Sequence, residues 1–141
     1  MNSPVTIDAS VFICAFMPIE PAHQASKKFM LNVGEQSIPI IVPFLVLPEI
    51  SAALSRGHGK PETAKAFVRE LKNLPRITFV DLDESVANLA VEIAANHRLR
   101  GSDAVYGAVA LRFGTELITL DREQLDRLAK LMVVRTPGPC D

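Results

Sequence analysis

The sequence has no tryptophan, one tyrosine and only two cysteines in 141 residues. A chain with so little cysteine and no CxxC pair is not built on disulfides, and its three histidines lack the i, i+3 or i, i+4 spacing of a zinc site. We expect Cys14, which lies in an apolar run, to be a core residue and Cys140, next to the last position, to be frayed. With 48% hydrophobic residues and few aromatic ones, the core is expected to be aliphatic.

Long hydrophobic runs are also missing. None approaches the ~20 residues that a membrane-spanning helix needs, and the longest dense run, residues 38–47, is interrupted by Pro39 and Pro43. The N-terminus lacks a basic segment followed by an apolar one, and Asp8 lies where the apolar segment of a secretory signal would be. These features predict a cytoplasmic protein that does not associate with membranes.

The chain has no excess of positive charge, since 15 basic and 16 acidic residues give a net charge of −1. This balance argues at first against a nucleic-acid partner. If a metal ion neutralises four of the acids, 12 acidic residues remain against 15 basic ones, a balance of +3. Such a balance permits a polyanionic partner without identifying one.

Internal repeats, low-complexity tracts and an interdomain linker are absent, so we expect one domain over residues 1–141. Short runs rich in β-branched residues alternate with helical segments, which is typical of α/β units around a parallel sheet. The predicted strands cover residues 5–7, 38–42, 77–80, 116–120 and 132–134. The predicted helices are a short one ending at residue 16 and residues 21–32, 44–55, 61–73, 84–96, 103–113 (capped by Ser102) and 122–128. The expected fold is a three-layer α/β/α sandwich with a central, mainly parallel sheet of four to five strands.

Four acidic residues each border an apolar run, and they are Asp8, Glu49, Asp103 and Asp121. Asp8 and Asp121 directly follow predicted strands, whereas Glu49 and Asp103 lie near the starts of predicted helices. Ligands of open parallel sheets bind beyond the carboxyl ends of the strands, so one fold can bring all four to one edge. A carboxylate in apolar surroundings is costly to desolvate and needs a proton, a cation or a partner. Together the four predict a site for a hard cation.

Each of these acids also has a simpler interpretation. Asp8 fits the end of a strand, Asp103 is a common type of acid at a helix start, and Asp121 fits the cap of the next helix. Glu49 has the weakest simple explanation, because apolar residues flank it on both sides. No local spacing joins the four, so the hypothesis of a shared site depends on the fold.

The order and spacing of the motifs around these acids extend over nearly the whole chain. The motifs are Ile7-Asp8-Ala9-Ser10, residues 47–54 around Glu49, Asp103-Ala104-Val105, Thr119-Leu120-Asp121 and Val134-Arg135-Thr136-Pro137. In this order they resemble PIN domains, and among them the VapC-like toxin ribonucleases of bacterial and archaeal toxin–antitoxin pairs.

The resemblance implies a PIN-like fold and a metal-dependent endoribonuclease that uses one or two Mg²⁺ or Mn²⁺ ions. It places Asp8, Glu49, Asp103 and Asp121 in the family's acidic quartet, with Ser10 as the hydroxyl beside the first Asp. It also implies RNA products with 5′-phosphate and 3′-hydroxyl ends, a small protein antitoxin that blocks the acidic pocket, and a homodimer. Residues 97–100 form a basic loop before Asp103 that fits contact with substrate phosphates or an exposed charge run.

Two other functions of α/β domains fit the sequence less well. A response-regulator receiver needs an adjacent acid pair early in the chain and a Lys after the last strand, whereas Asp8 stands alone and Arg135 follows the last strand. An aspartyl phosphatase needs a second acid two residues after Asp8, where this chain has Ser10. Two alternatives stay open: a PIN nuclease of RNA processing without a toxin role, and a non-catalytic α/β binding module with structural acids.

Overall fold

The computed structural model of the protein describes residues 3–138, apart from the side chain of His58. Its strands β1–β5 are Val5–Ile7, Ile40–Pro43, Ile77–Val80, Glu116–Ile118 and Val134–Arg135. Its helices α1–α7 are Ala9–Phe16, His23–Glu35, Val46–His58, Pro61–Lys72, Glu84–His97, Gly101–Phe113 and Arg122–Arg127. Cys14 is half-buried with a free thiol, and the expectation for Cys140 lies outside the described residues.

The five strands form one sheet in the order β3-β2-β1-β4-β5, and every neighbouring pair is parallel. The predicted α/β fold with a central parallel sheet is therefore confirmed. The chain moves from β1 outward to β2 and β3, and then crosses back to place β4 on the other side of β1. The strand order thus reverses between β1 and β4, which is where open parallel sheets form their ligand crevice.

This reversal also distributes the helices between the two faces of the sheet. Crossovers between parallel strands are right-handed, so helices of connections that run in opposite directions cover opposite faces. Helices α1 to α4, from the connections β1–β2 and β2–β3, pack with one another in one layer. Helices α5 and α6, from the return connection, pack together on the other face, with α6 against β1, β2 and β4. The result is the predicted three-layer sandwich.

Helix α6 is the most enclosed helix of the described chain. Its residues 104–110 are all buried. A helix without a polar stripe is stable only when it is covered on all sides, and the small residues in this segment let it lie close to its neighbours. A Cβ built on Gly107 would lie 3.3 Å from both methyl carbons of Leu128, just after α7. Close packing of α6 and α7 therefore fixes the position of the helix that begins two residues before Asp103.

Some predicted boundaries were wrong. Ser102 does not cap α6, because the helix begins at Gly101 with Arg100 as its N-cap and has no side-chain cap hydrogen bond. Helix α2 continues through Gly34, where the side of the helix is exposed and no neighbouring atom lies within 4 Å of a built Cβ. Strand β2 includes Pro43, which pairs with Val80 at the end of the ladder, where the missing N–H of proline is tolerated.

We predict that Gly107→Val destabilises the protein by about 1–3 kcal/mol, because the added methyl groups overpack the contact with Leu128. The free energy of unfolding from urea titration measures the effect. Gly101→Val, in the same helix but with open space around its Cβ, is the matched control and should be close to neutral. Equal stability of the two variants would contradict close packing at Gly107.

Candidate active site

Asp8 is placed by the end of the central strand. It follows β1 directly, is 7% exposed, and its backbone N–H donates to Ile118 O at 2.9 Å, which ties the end of β1 to β4. As N-cap of α1, its Oδ2 accepts the backbone N–H of Ser10 at 3.0 Å. Burial raises the pKa of Asp8, hydrogen bonds from Ser10 oppose this effect, and the nearby charge of Asp121 adds to it. The carboxyl group is held rigidly in a place that disfavours its charge.

Ser10 and Asp121 join the ends of β1 and β4. The Oγ atom of Ser10 accepts the backbone N–H of Leu120 at 3.1 Å, so the first turn of α1 holds the segment that follows β4. Asp121, one residue later, is the N-cap of α7, and its Oδ1 accepts the backbone N–H of Gln124 at 2.9 Å. The simpler interpretations, Asp8 as the end of a strand and Asp121 as the cap of the next helix, are therefore correct, and Asp8 is a helix cap as well. A carboxylate has about four acceptor sites, so one cap bond leaves the group able to bind more.

Glu49 lies in the first turn of α3 and meets a residue from the opposite layer of the sandwich. The hydroxyl group of Tyr106, a fully buried residue of α6, donates to Glu49 Oε1 at 2.6 Å. Burial raises the pKa of Glu49, the charge of Asp8 adds to that effect, and the hydrogen bond from Tyr106 opposes it. The pKa of Tyr106 is also raised, mainly by burial, so this hydroxyl keeps its proton and remains a donor.

Asp103 is half-buried in the first turn of α6. Its pKa is raised from 3.8 to about 6, first by burial and then by the charges of Asp121, Asp8 and Glu49, while Arg100 acts in the opposite direction. The other three acids thus all act on Asp103 electrostatically. The fold brings the four predicted residues into one cluster of like charge at the carboxyl edge of the sheet.

The cluster has no salt-bridge partner among residues 3–138, where the ion pairs found involve other acids. Carboxylates that repel one another in this way bind a proton or a cation more readily. Within the same range, no group of three or more His, Cys, Asp or Glu side chains is arranged to hold a metal ion directly. The donors are carboxylates alone, which match a hard cation that keeps part of its water shell.

Sequence reasoning did not predict the roles of three residues that support the acids. Tyr106 holds Glu49, the hydroxyl group of Thr119 donates to Gln124 Oε1 at 2.6 Å, and the buried Gln124 donates to Asp103 O at 3.4 Å. The Thr119 hydroxyl also accepts the N–H of Asp121 at 3.0 Å. Two signals were available: Tyr106 is the only tyrosine and follows Asp103 by one helical turn, and Gln124 stands at the third position after the capping Asp121.

None of the helices in the described part of the chain is long and apolar enough to cross a membrane.

Comparison with known proteins agrees with this architecture. A family model described as the PIN domain matches residues 5–131. The protein named Ribonuclease VapC3, from Pyrobaculum aerophilum, is 24% identical over 128 residues, which cover 91% of this chain and 97% of that protein. VapC20 of Mycobacterium tuberculosis, described as a sarcin–ricin loop cleaving toxin, superposes with a TM-score of 0.72 at 17% identity, covering 86% of this chain and 93% of its own. A chain of a toxin–antitoxin complex from Klebsiella pneumoniae superposes with a TM-score of 0.68 at 15% identity, covering 95% and 98%.

We predict that the metal-free protein loses stability as the pH rises from about 4 through about 6, in part because of Asp103. Its pKa is higher in the folded state than the ordinary 3.8, so the folded state binds the proton more tightly and is favoured at low pH. Unfolding by urea in EDTA, at a series of pH values, compares wild type with Asp103→Asn. The stability of the variant relative to wild type should increase through this pH window and then level off. Parallel stability profiles would contradict the raised pKa.

The contact between Glu49 and Tyr106 predicts a measurable coupling between the two outer layers of the sandwich. Hydrogen bonds to charged groups contribute about 1.5–3 kcal/mol, so a double-mutant cycle of Glu49→Ala and Tyr106→Phe should give a coupling energy in this range at neutral pH. Urea unfolding of the four proteins measures it. Additive effects of the two substitutions would show that the hydrogen bond does not contribute to stability.

Proposed function

This chain belongs to the PIN-domain family, as its motifs predicted, and we propose that it is a metal-dependent endoribonuclease that acts as the toxin of a toxin–antitoxin pair. The observation that carries the proposal is the convergence of Asp8, Glu49, Asp103 and Asp121 on one edge, where burial first, and then the charges of the other three acids, raise the pKa of Asp103 to about 6. The similarity to a protein named as a ribonuclease, over 91% of this chain, supports the same activity.

The donor set fits Mg²⁺ or Mn²⁺, in one or two ions. Asp8, Asp103 and Asp121 would supply oxygen ligands, either directly or through bound water, because hard cations prefer carboxylates and Mg²⁺ retains several waters. Glu49 would be a fourth ligand or the residue that orients the attacking water. When bound, the ion supplies Lewis acidity toward a phosphoryl oxygen and lowers the pKa of a coordinated water.

The chain's own residues position these groups. Ser10 holds Asp8 through its backbone N–H and holds the segment before Asp121 through its hydroxyl oxygen. Tyr106 fixes one carboxylate oxygen of Glu49. In the proposed reaction, water adds to phosphorus while the bond to the 3′ oxygen breaks, and the leaving oxygen takes up a proton. The products carry 5′-phosphate and 3′-hydroxyl ends.

The proposal includes a small protein antitoxin, a homodimer and a cytoplasmic location. A structural relative was solved within a toxin–antitoxin complex, which supports an antitoxin partner for this chain. An antitoxin that covers the acidic edge would block access of RNA to all four carboxylates at once. Phe44, which follows β2 at the same edge and is 43% exposed, offers apolar surface next to that edge.

We predict that Asp8→Asn and Glu49→Gln each lower the rate of RNA cleavage on the order of 100-fold, because each removes a charge from the metal site. Cleavage of a labelled pool of mixed single-stranded RNA is followed with Mg²⁺, with Mn²⁺ and with EDTA. Asp81→Asn is the matched control, since Asp81 also follows a strand at this edge but is exposed, and it should retain full activity.

Two outcomes would contradict the proposal. The first is equal cleavage by wild type and Asp8→Asn with either metal ion. The second is cleavage that persists in EDTA and leaves cyclic phosphate ends, which indicate attack by the 2′-hydroxyl group of the RNA instead of by water.

A further inference from the structure

The connection between α5 and α6 carries two arginines shortly before Asp103. Arg98 and Arg100 are exposed, whereas Leu99 between them is 6% exposed and packs in the core. Arg100 is the N-cap of α6, three residues before Asp103, and its charge lowers the pKa of Asp103. The guanidinium group of Arg100 therefore lies within electrostatic range of the acids.

Hydrogen bonds to backbone carbonyl groups hold this connection in place. The N–H groups of Arg98 and Leu99 both donate to Ala94 O, which closes the end of α5. The guanidinium group of Arg127, on α7, donates to Arg98 O. We call residues 98–100 the arginine loop. Because α7 begins directly after Asp121, this one helix positions Asp121 at its start and holds the arginine loop through the contact of Arg127 with Arg98 O.

Arg98 adopts a backbone conformation that favours glycine. Its φ and ψ are 55° and 43°, in the left-handed region, where a residue with a Cβ is strained. Helices α3 and α6 end in the same region with Gly59 and Gly114. Glycine at position 98 would relieve this strain, so the arginine side chain at this position costs stability.

The charges of the two arginines are available for a ligand. Neither Arg98 nor Arg100 forms a salt bridge within residues 3–138. Arginine binds phosphate groups through paired N–H donors, and positive charge next to an acidic metal site offsets the repulsion between the carboxylates and a polyanion.

We propose that Arg98 and Arg100 bind backbone phosphates of the RNA strand next to the phosphate that is cleaved. This inference rests on the proposed nuclease function and assigns the side of the site on which the strand lies, along the amino end of α6. Loss of Arg98 should then weaken RNA binding without weakening the fold. Exposed arginines that only interact with solvent would leave RNA binding unchanged when either one is removed.

Arg98→Gly distinguishes the effect of Arg98 on stability from its proposed effect on RNA binding. Arg76→Gly is the matched control. Arg76 is also an exposed arginine with a positive φ, of 63°, but it precedes β3 at the opposite edge of the sheet. Both variants should keep or raise the thermal midpoint of unfolding, because both relieve the same backbone strain. A difference between them in RNA binding therefore reports on position and not on folding.

Binding of a labelled single-stranded RNA oligonucleotide to the full chain is measured by fluorescence anisotropy in EDTA, which prevents metal-dependent cleavage, at salt concentrations from 50 to 200 mM. Each phosphate contact contributes about 0.7 to the slope of log K against log[salt] for single strands. Arg98→Gly should therefore reduce the magnitude of the slope by about 0.7, and Arg98→Gly combined with Arg100→Ala by about 1.4. Arg76→Gly should match wild type.

Equal slopes for Arg98→Gly and Arg76→Gly would overturn the inference, and the arginines would then be solvated charges only. That result leaves the nuclease proposal intact, since cleavage and its dependence on Asp8 are measured separately. Conversely, wild type that neither cleaves nor binds the RNA would overturn the nuclease proposal and this inference with it.

Discussion

Four carboxylates repel one another at the edge of the sheet where the strand order reverses, and the surrounding structure holds them together against this repulsion. Asp8 and Asp121 come to this edge because β1 and β4 are neighbours that end there, and Asp103 comes with the amino end of α6. Three of the acids are restrained separately: Asp8 and Asp121 are helix caps, and Tyr106 donates to Glu49. In the proposed function, a bound cation would recover the stability that is lost by keeping these charges together.

Local patterns predicted the fold class and the position of most elements, because alternating β-branched and helical segments depend on neighbours in sequence. The same local reasoning found the acids at strand ends, since Asp8 and Asp121 follow their strands directly. It could not find the partner of Glu49, because Tyr106 lies 57 residues away and belongs to the other helical layer. It also misplaced the cap of α6, because the glycine at position 101 is already helical and Ser102 follows inside the first turn.

The supporting residues show how one small network serves both structure and chemistry. Thr119 donates to Gln124 and accepts from the backbone of Asp121, and Gln124 reaches the backbone of Asp103. These contacts join the segment after β4 to α7 and α6, next to Asp121 and Asp103. Among the other three acids, Asp121 raises the pKa of Asp103 the most. The side chains of Thr119 and Gln124 carry no charge, and although both lie close to Asp121 in the sequence, the hydrogen bond that connects Gln124 to Asp103 is visible only in the tertiary structure.

The helices are buried to different extents, and this affects how readily each one opens to solvent in the native protein. Asp103 is carried by α6, whose amides are protected by a continuous buried face and should be among the last to exchange with solvent. Asp121 is the N-cap of α7, a helix of only 6 residues beside the 2-residue edge strand β5, so less buried structure holds α7 than holds α6. Local opening of α7 would carry one acid and the anchor of the arginine loop away from the others while the rest of the molecule stays folded. Such an opening would make assembly of the complete site an equilibrium separate from global folding.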